Sequence, residues 1–381
     1  MQVEKITFTD AGGWQAGFPG ALDSPSTLVL AFGSPDCARI DEALAELRAA
    51  FPQAIHVGCS TSGEISAGEI LDGSLTVALT RFDRTGLLEA CTPIRDPADS
   101  RDAGLRLGAR LKAPGLRAVL LLSDGLSVNG AQLVDGLNAA VGPGVTVVGG
   151  LAGDGERFSR TWVLCDGERR ASQVVAVGLF GEALRINAAA GGGWSDFGPE
   201  RQITRAAGQI LYELDGRPAL DLYKDYLGEF ARDLPGAALR FPLLVKSPQP
   251  GAEPLVRTVL GIDESTRSMT FAGDIPQGGT ARLMRASHSR LVDAAGQAAT
   301  AAAPRSDSSD EVLVLTVSCV GRRIVMGQHA EDELEAVAEV FPEGCVNIGF
   351  YSYGEIAPAG GTISRLHNQT IGVTVIREAP P

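Results

Sequence analysis

Two short stretches of this 381-residue chain set glycine, hydroxyl and carboxylate residues in nearly the same order. HVGCSTSGEI, residues 56–65, closes on Gly63, Glu64 and Ile65, and IGFYSYGEI, residues 348–356, closes on Gly354, Glu355 and Ile356. Glycine leaves its backbone N–H unobstructed and accepts positive φ, so such a turn can present donors to a bound group. Ser60, Thr61 and Ser62 add hydroxyls, and Glu64 and Glu355 add negative charge. Amides and hydroxyls on a carboxylate, with Glu64 on an ammonium, would hold a zwitterion. The plainer reading is structural: polar side chains capping backbone groups where a strand ends. A looser third turn, GGLAGDG at 149–155, brings Asp154 roughly to the place of the other acids. Tyr351 and Tyr353 alternate around the last turn, and a period of two puts both on one face, lining a pocket or closing the edge of a core.

Other chemistries lack their signatures. There is no GxxxxGK[ST] phosphate loop, no GxSxG nucleophile elbow, and GGLAGDG is not the GxGxxG dinucleotide fingerprint. His56, His288, His329 and His367 form no HxH or HExxH pair, which leaves zinc unsupported. A Cys59–His56 pair would need its strand to end at Gly58, since residues three apart on a strand face opposite sides. The cysteines Cys37, Cys59, Cys91, Cys165, Cys319 and Cys345 are scattered without a CxxC and read as reduced thiols. Arg322 and Arg323, at an expected strand end, either bind an anion or pair with Glu331, Asp332 and Glu333.

The turns sit in a degenerate repeat. In the first and last copies an apolar strand (STLVLAF, EVLVLTVSC) precedes an amphipathic helix (ARIDEALAELRAA, AEDELEAVAEV). A second strand, the glycine–acid turn and a closing strand (LTVALTRF, TIGVTVIRE) follow. A middle copy runs RAVLLLSDG, NGAQLVDGLNAAVG, VTVVGG and ASQVVAVGLFG. Strand–helix–strand crossovers make parallel neighbours and the last strand returns antiparallel. The expected fold is α/β, mixed sheets covered by helices, in two lobes. The glycine-rich run 191–204 marks a boundary, dividing the chain into 1–204 and 205–381. Beyond it come a strand at ILYEL, a turn at Asp215 and Gly216, a helix from about Pro218, four β segments and the helix HSRLVDAAGQAATAAA. PRSDSSDE reads as a short exposed loop.

With 46 acidic against 33 basic residues the formal charge is -13, a field that repels phosphate backbones and anionic lipids. Nucleic acid and membranes are therefore poor partners. MQVEKITFTD lacks the basic and apolar regions of a signal peptide, so the expected address is the cytoplasm.

VGCSTSGEI, VVGGLAGDG, ELDGRPALDLYKDYLG, GDIPQGGTARLM, SCVGRR, GFYSYGEIAP and LHNQT, in this order, resemble the FIST sensory domain family in both its N-terminal and C-terminal parts. The resemblance implies an intracellular small-molecule sensor, with amino acids among the proposed ligands. It implies partners such as a histidine kinase, a cyclic-di-nucleotide enzyme or a chemoreceptor, reached as separate proteins because no transmitter segment is visible. Some members are haem-based gas sensors, which keeps haem, through His367 or another histidine, as an alternative to no cofactor. The family supplies no established catalytic residues. The expected ligand site is therefore Ser60, Thr61, Ser62, Glu64, Asp154, Tyr351, Tyr353, Glu355 and Asn368, where the turns converge. The reading of a different class is a hydrolase or transferase with a Ser, Thr or Cys nucleophile near Ser60–Ser62, which requires a base in hydrogen-bond reach.

Overall fold

The computed structural model describes residues 1–304, 311–342, 344–358 and 363–379. Three strand–helix–strand units carry the architecture. In the first, an opening strand Thr27–Gly33 leads through the helix Ile40–Ala50 to a parallel inner strand Ile55–Ser60, and Ser74–Arg81 closes antiparallel to the opening strand. The second uses Leu116–Ser123, the helix Gly130–Val141, Thr146–Leu151 and Gln173–Phe180. The third uses Leu313–Cys319, the helices Val320–Met326 and Glu331–Ala338, Val346–Ser352 and Ile371–Glu378. A flanking strand completes each sheet: Gln2–Thr9, Gly86–Pro93 and Leu184–Gly191.

Between inner and closing strand, each unit hands a short strand to another unit. Glu64–Ser66 pairs with the third unit's inner strand, Gly354–Pro358 with the second's, and Val163–Cys165 with the first's. The exchange is cyclic, so three sheets stand as three walls around one pseudo-threefold axis. Alternate residues of the opening strands point into a shared core: Leu28, Leu30 and Phe32, then Ala118, Leu120 and Leu122, then Leu313, Leu315 and Val317. The intervening residues face the helices, as Val29 and Ala31 do with Leu44 and Leu47. Strands covered on both faces need apolar residues throughout, which is why these segments read as continuous runs.

One glycine per unit fixes the equivalence. Gly58, Gly149 and Gly349 stand opposite Ala31, Leu121 and Thr316 in the three parallel ladders. A Cβ there would lie 1.9, 2.0 and 1.6 Å from the carbonyl oxygens of those partners, so no side chain fits. The first unit and the third thus share strand order and register, as the repeat predicts.

Between Leu184–Gly191 and the helix His288–Ala302 the chain leaves this body and builds a β-lobe, residues 195–285, with its own core around Ile203, Leu211, Tyr223, Met269 and Phe271. The lobe is an insertion into the third unit. Ser195–Asp196 already pairs within it, Arg201–Ala207 is one of its strands, and everything described from His288 onward rejoins the body. The strand Gly86–Pro93 and the helix Ser100–Leu111 were not expected from the sequence. Most of PRSDSSDE lies outside the described residues.

The cysteines also depart from expectation. Cys91 and Cys165 form a disulfide that ties the second sheet's flanking strand to the short strand handed to the first sheet, while Cys37, Cys59, Cys319 and Cys345 are free. Distant in sequence, the pair had no spacing to betray it. Among the described residues no helix is long and apolar enough to cross a membrane.

Candidate functional site

The glycine–acid turns do converge, on the pseudo-threefold axis at the C-terminal ends of the parallel strands. There three backbone bonds run in a cycle: Ser62 N–H donates to Tyr351 C=O (2.8 Å), Tyr353 N–H to Leu151 C=O (3.2 Å) and Gly153 N–H to Ser60 C=O (3.0 Å). The side chains around this cycle are mostly engaged with one another. Ser60 Oγ accepts from Trp162 N–H (3.1 Å) and Ser62 Oγ from Gly155 N–H (3.0 Å).

Glu64 is fully buried and accepts from the Thr61 hydroxyl, Ser74 N–H (3.1 Å) and the Ser74 hydroxyl (2.7 Å). Glu355 repeats the arrangement with the Ser352 hydroxyl (2.8 Å), Thr370 N–H (3.1 Å) and the Thr370 hydroxyl (2.9 Å). Each glutamate thereby pins its turn to the start of the closing strand. Burial pushes their carboxyls up, to about 7 for Glu64 and about 8 for Glu355, against the opposing pull of these donors. Glu64 does supply a base within reach of a hydroxyl, that of Thr61. Both groups are buried, however, and the recurrence at Ser352 and Glu355 gives the pair a turn-locking duty.

Asp154 is not the counterpart of these acids. The residue paired as Glu64 and Glu355 are is Val163, because the connection 152–162 of the second unit is longer than its counterparts 61–63 and 352–354. Asp154 organises that connection: it accepts from Ser159 N–H (2.9 Å), Arg160 N–H (2.8 Å) and the Tyr353 hydroxyl. Burial alone would raise its carboxyl, but these donors hold it below the usual carboxylate range. The two tyrosines do not share a face. Tyr351 is buried in the core under the helices of the third unit, its hydroxyl on Glu333 (3.1 Å), whereas Tyr353 lies past the strand end and stacks on Phe158. The chain changes sheet between them, which breaks the period of two. Arg322 and Arg323 sit on the helix Val320–Met326, not at a strand end. Arg322 is buried against Glu333 (2.7 Å) and Arg323 pairs with Asp72 (2.6 Å).

Two hollows lie where the β-lobe rests on the body, on either side of the segment that carries Arg257 and Thr258. The outer one, about 400 Å³, has Asp135, Arg365 and Leu366 of the body on one side and Glu253, Arg257 and Asp274 of the lobe on the other. Arg257 is 4% exposed and spends its donors on main-chain and amide oxygens: Leu366 C=O (3.1 Å), Asp274 C=O (3.4 Å) and Asn368 Oδ1 (3.5 Å). Burial lowers its pKa to about 10. Among the described residues no carboxylate lies within ion-pair distance of Arg257 or Arg365, and no cation within that distance of Asp135, Glu253 or Asp274. Asp274 instead holds the body through Asn129 Nδ2 (2.7 Å) and Gln132 Nε2 (3.3 Å) at the start of the second unit's helix. Sequence reasoning reached only Asn368 here. The available signal was a lone arginine inside the apolar run PLVRTVL.

The inner hollow, about 260 Å³, opens beside Tyr353 and, among the described residues, is lined by no charged side chain. No histidine among them lines either hollow. His367 is buried with Nε2 3.1 Å from Ala357 C=O, and burial lowers its pKa to about 4. Among the described residues neither hollow thus offers a histidine to a haem, whereas Cys319 and Tyr353 line the inner one. His56 Nε2 lies on Phe51 C=O (2.7 Å) and Cys59 is in the central core, so the two form no dyad.

The FIST N domain model matches residues 27–217 and the FIST C domain model residues 219–358, together most of the chain. An uncharacterized protein of Mycobacterium tuberculosis is 26% identical over 337 residues, 87% of this chain and 85% of that one. An uncharacterized protein of Methanocaldococcus jannaschii is 23% identical over 189 residues, 46% of this chain and 36% of that one. Among solved structures, a cyanuric acid hydrolase from A. caulinodans aligns with 10% identity over 100% of this chain and 99% of that chain, at a TM-score of 0.37, a likeness that carries no argument.

Proposed function

Because the chain belongs to the FIST family, a sensory domain family, we propose that it senses a small zwitterionic molecule, an amino acid or a close analogue, in the outer hollow. The observation that carries this is a lining with charges of both signs, none of them within ion-pair distance of an opposite charge among the described residues. Burial disfavours the charged Arg257 guanidinium, and Asp274 and Asp135 offset that only through space. Here Arg257 and Arg365 face one space with Asp135, Glu253 and Asp274, and none is ion-paired. An occupant with a carboxylate toward the arginines and an ammonium toward the acids satisfies both. Leu255, Ile275 and Leu366 leave apolar surface for its remainder.

The ligand's position explains sensing. It contacts body and lobe together, so it binds most tightly to one setting of the lobe and shifts the population toward it. The shifted lobe is read by a separate protein, with a histidine kinase, a cyclic-di-nucleotide enzyme or a chemoreceptor as the partner classes. A cytoplasmic address belongs to this reading and requires Cys91 and Cys165 to be reduced in the cell, since disulfides are rare there. Thiol alkylation of freshly lysed cells decides that point.

The experiment is a thermal-shift screen of the amino acids on the wild-type chain. A ligand of the folded state raises the melting temperature with concentration. At least one zwitterion should do so, and its N-acetyl and amide derivatives, each lacking one charge, should not. No shift from any amino acid defeats the proposal.

A further inference from the structure

The inner hollow is a different chemical environment from the outer one, though consecutive residues of the chain line the two. Arg257 lines the outer space and Thr258 the inner. The inner hollow lies at the ends of Thr146–Leu151 and Leu313–Cys319, close to the axis, with Leu239, Leu260 and Ala272 of the lobe above it. Carboxyl ends of parallel strands are where ligands collect in α/β folds. Its floor and roof are mostly apolar, and a dry apolar cavity of about 150 Å³ already holds benzene.

Two observations point to an occupant. Thr258 lines the hollow and is 4% exposed, and its hydroxyl oxygen is buried without a hydrogen-bond partner. A buried polar group left unpaired costs about 1–3 kcal/mol and is rare in native structures. At the rim Phe158 stacks on Tyr353 with ring centroids 4.6 Å apart and planes 18° from parallel, yet Phe158 stays 44% exposed. Phe158 has φ +49°, a conformation unfavourable for an aromatic residue, and it stands in the connection 152–162, which is longer than its counterparts in the other units. The connection therefore holds an aromatic ring over the hollow at a backbone cost that packing in the core does not explain.

We propose that the inner hollow is a second binding site, for a small uncharged molecule with a flat ring and one hydrogen-bonding group. The ring lies against the Phe158–Tyr353 pair and the polar group meets the Thr258 hydroxyl. The described lining carries no charge to stabilise a zwitterion, so this site and the outer one take different ligands. The inference does not rest on the amino-acid reading.

Phenol and toluene, followed by ligand-observed NMR and calorimetry on the full chain, test it. Both should bind the wild-type protein, phenol the more tightly. Thr258→Val keeps the side-chain shape and removes only the hydroxyl. It should weaken phenol about 2- to 10-fold, the range of one hydrogen bond, and leave toluene unchanged. Ala272→Leu fills the space and should abolish both, while Arg365→Gln, in the outer hollow, should alter neither. The proposal is overturned if neither probe binds the wild type, if Thr258→Val weakens both alike, or if Ala272→Leu leaves binding intact. Loss of phenol binding in Arg365→Gln would mean one shared site and would also overturn it.

Discussion

Tyr353 donates its hydroxyl to the carboxylate of Asp154, joining the third unit's turn to the second unit's long connection across 199 residues of sequence. Asp154 in turn accepts from Ser159 and Arg160, so one carboxylate holds both ends of the connection that carries Phe158. Tyr353→Phe removes one donor from a carboxylate that keeps others, and should cost about 1–2 kcal/mol in chemical denaturation. Asp154→Ala strips the acceptor from all of them and should cost more. Equal losses would show that Asp154 does not organise the connection.

The buried glutamates set a pH dependence whose sign follows from their raised values. A carboxyl that titrates near 7 or 8 in the folded chain and near 4.5 when unfolded makes the folded state bind protons more tightly. This stability is fully present below about pH 4.5 and is lost as pH rises through about 7 to 8. His367, lowered to about 4, acts at the other side: its contribution is full above about pH 6.5 and is lost as pH falls toward 4. Urea midpoints should therefore decline from pH 6 to pH 8.5, and Glu355→Gln should flatten that decline. A rising midpoint over this interval contradicts the assignment.

The three axial glycines make a graded test of the repeat. Gly58→Ala, Gly149→Ala and Gly349→Ala each drive a methyl into the carbonyl of the facing strand, and all three should fail to give soluble folded protein. Gly20→Ala, with nothing near its Cβ position, should melt like the wild type. A well-folded Gly149→Ala would remove the second unit from the equivalence.

Cys91→Ser tests the disulfide. Closing a long loop contributes about 2–4 kcal/mol, so the variant and the reduced wild-type protein should both melt below the oxidised chain, and by similar amounts. Unchanged melting on reduction would mean that the bond does not form.

Much of the body was legible because its strands obey one-dimensional rules. Leu28 to Phe32 and Leu313 to Val317 are buried on both faces and show it as continuous apolar runs. Gly58 and Gly349 mark register. The trade of hairpins between units was not legible, because nothing in Glu64–Ser66 names the sheet that receives it. That trade is why Tyr351 and Tyr353 part company. Asp154 was misplaced for a related reason: the connection 152–162, longer than its counterparts 61–63 and 352–354, hides the true counterpart, Val163, behind a glycine–acid pair that only looks equivalent. The turns were found and their role was not, since Glu64 and Glu355 meet their partners Ser74 and Thr370 only after folding. Arg257 and Arg365 are 108 residues apart, with no motif linking them.

Calorimetric titration of the best zwitterion from the screen into wild-type, Arg365→Gln and Phe158→Ala protein tests the central claim most directly. A charge-assisted hydrogen bond is worth about 1.5–3 kcal/mol, so Arg365→Gln should weaken binding roughly 10- to 150-fold, with Phe158→Ala close to wild type. Wild-type affinity in a folded Arg365→Gln variant would contradict the account, because the ligand would then lie outside the charged hollow.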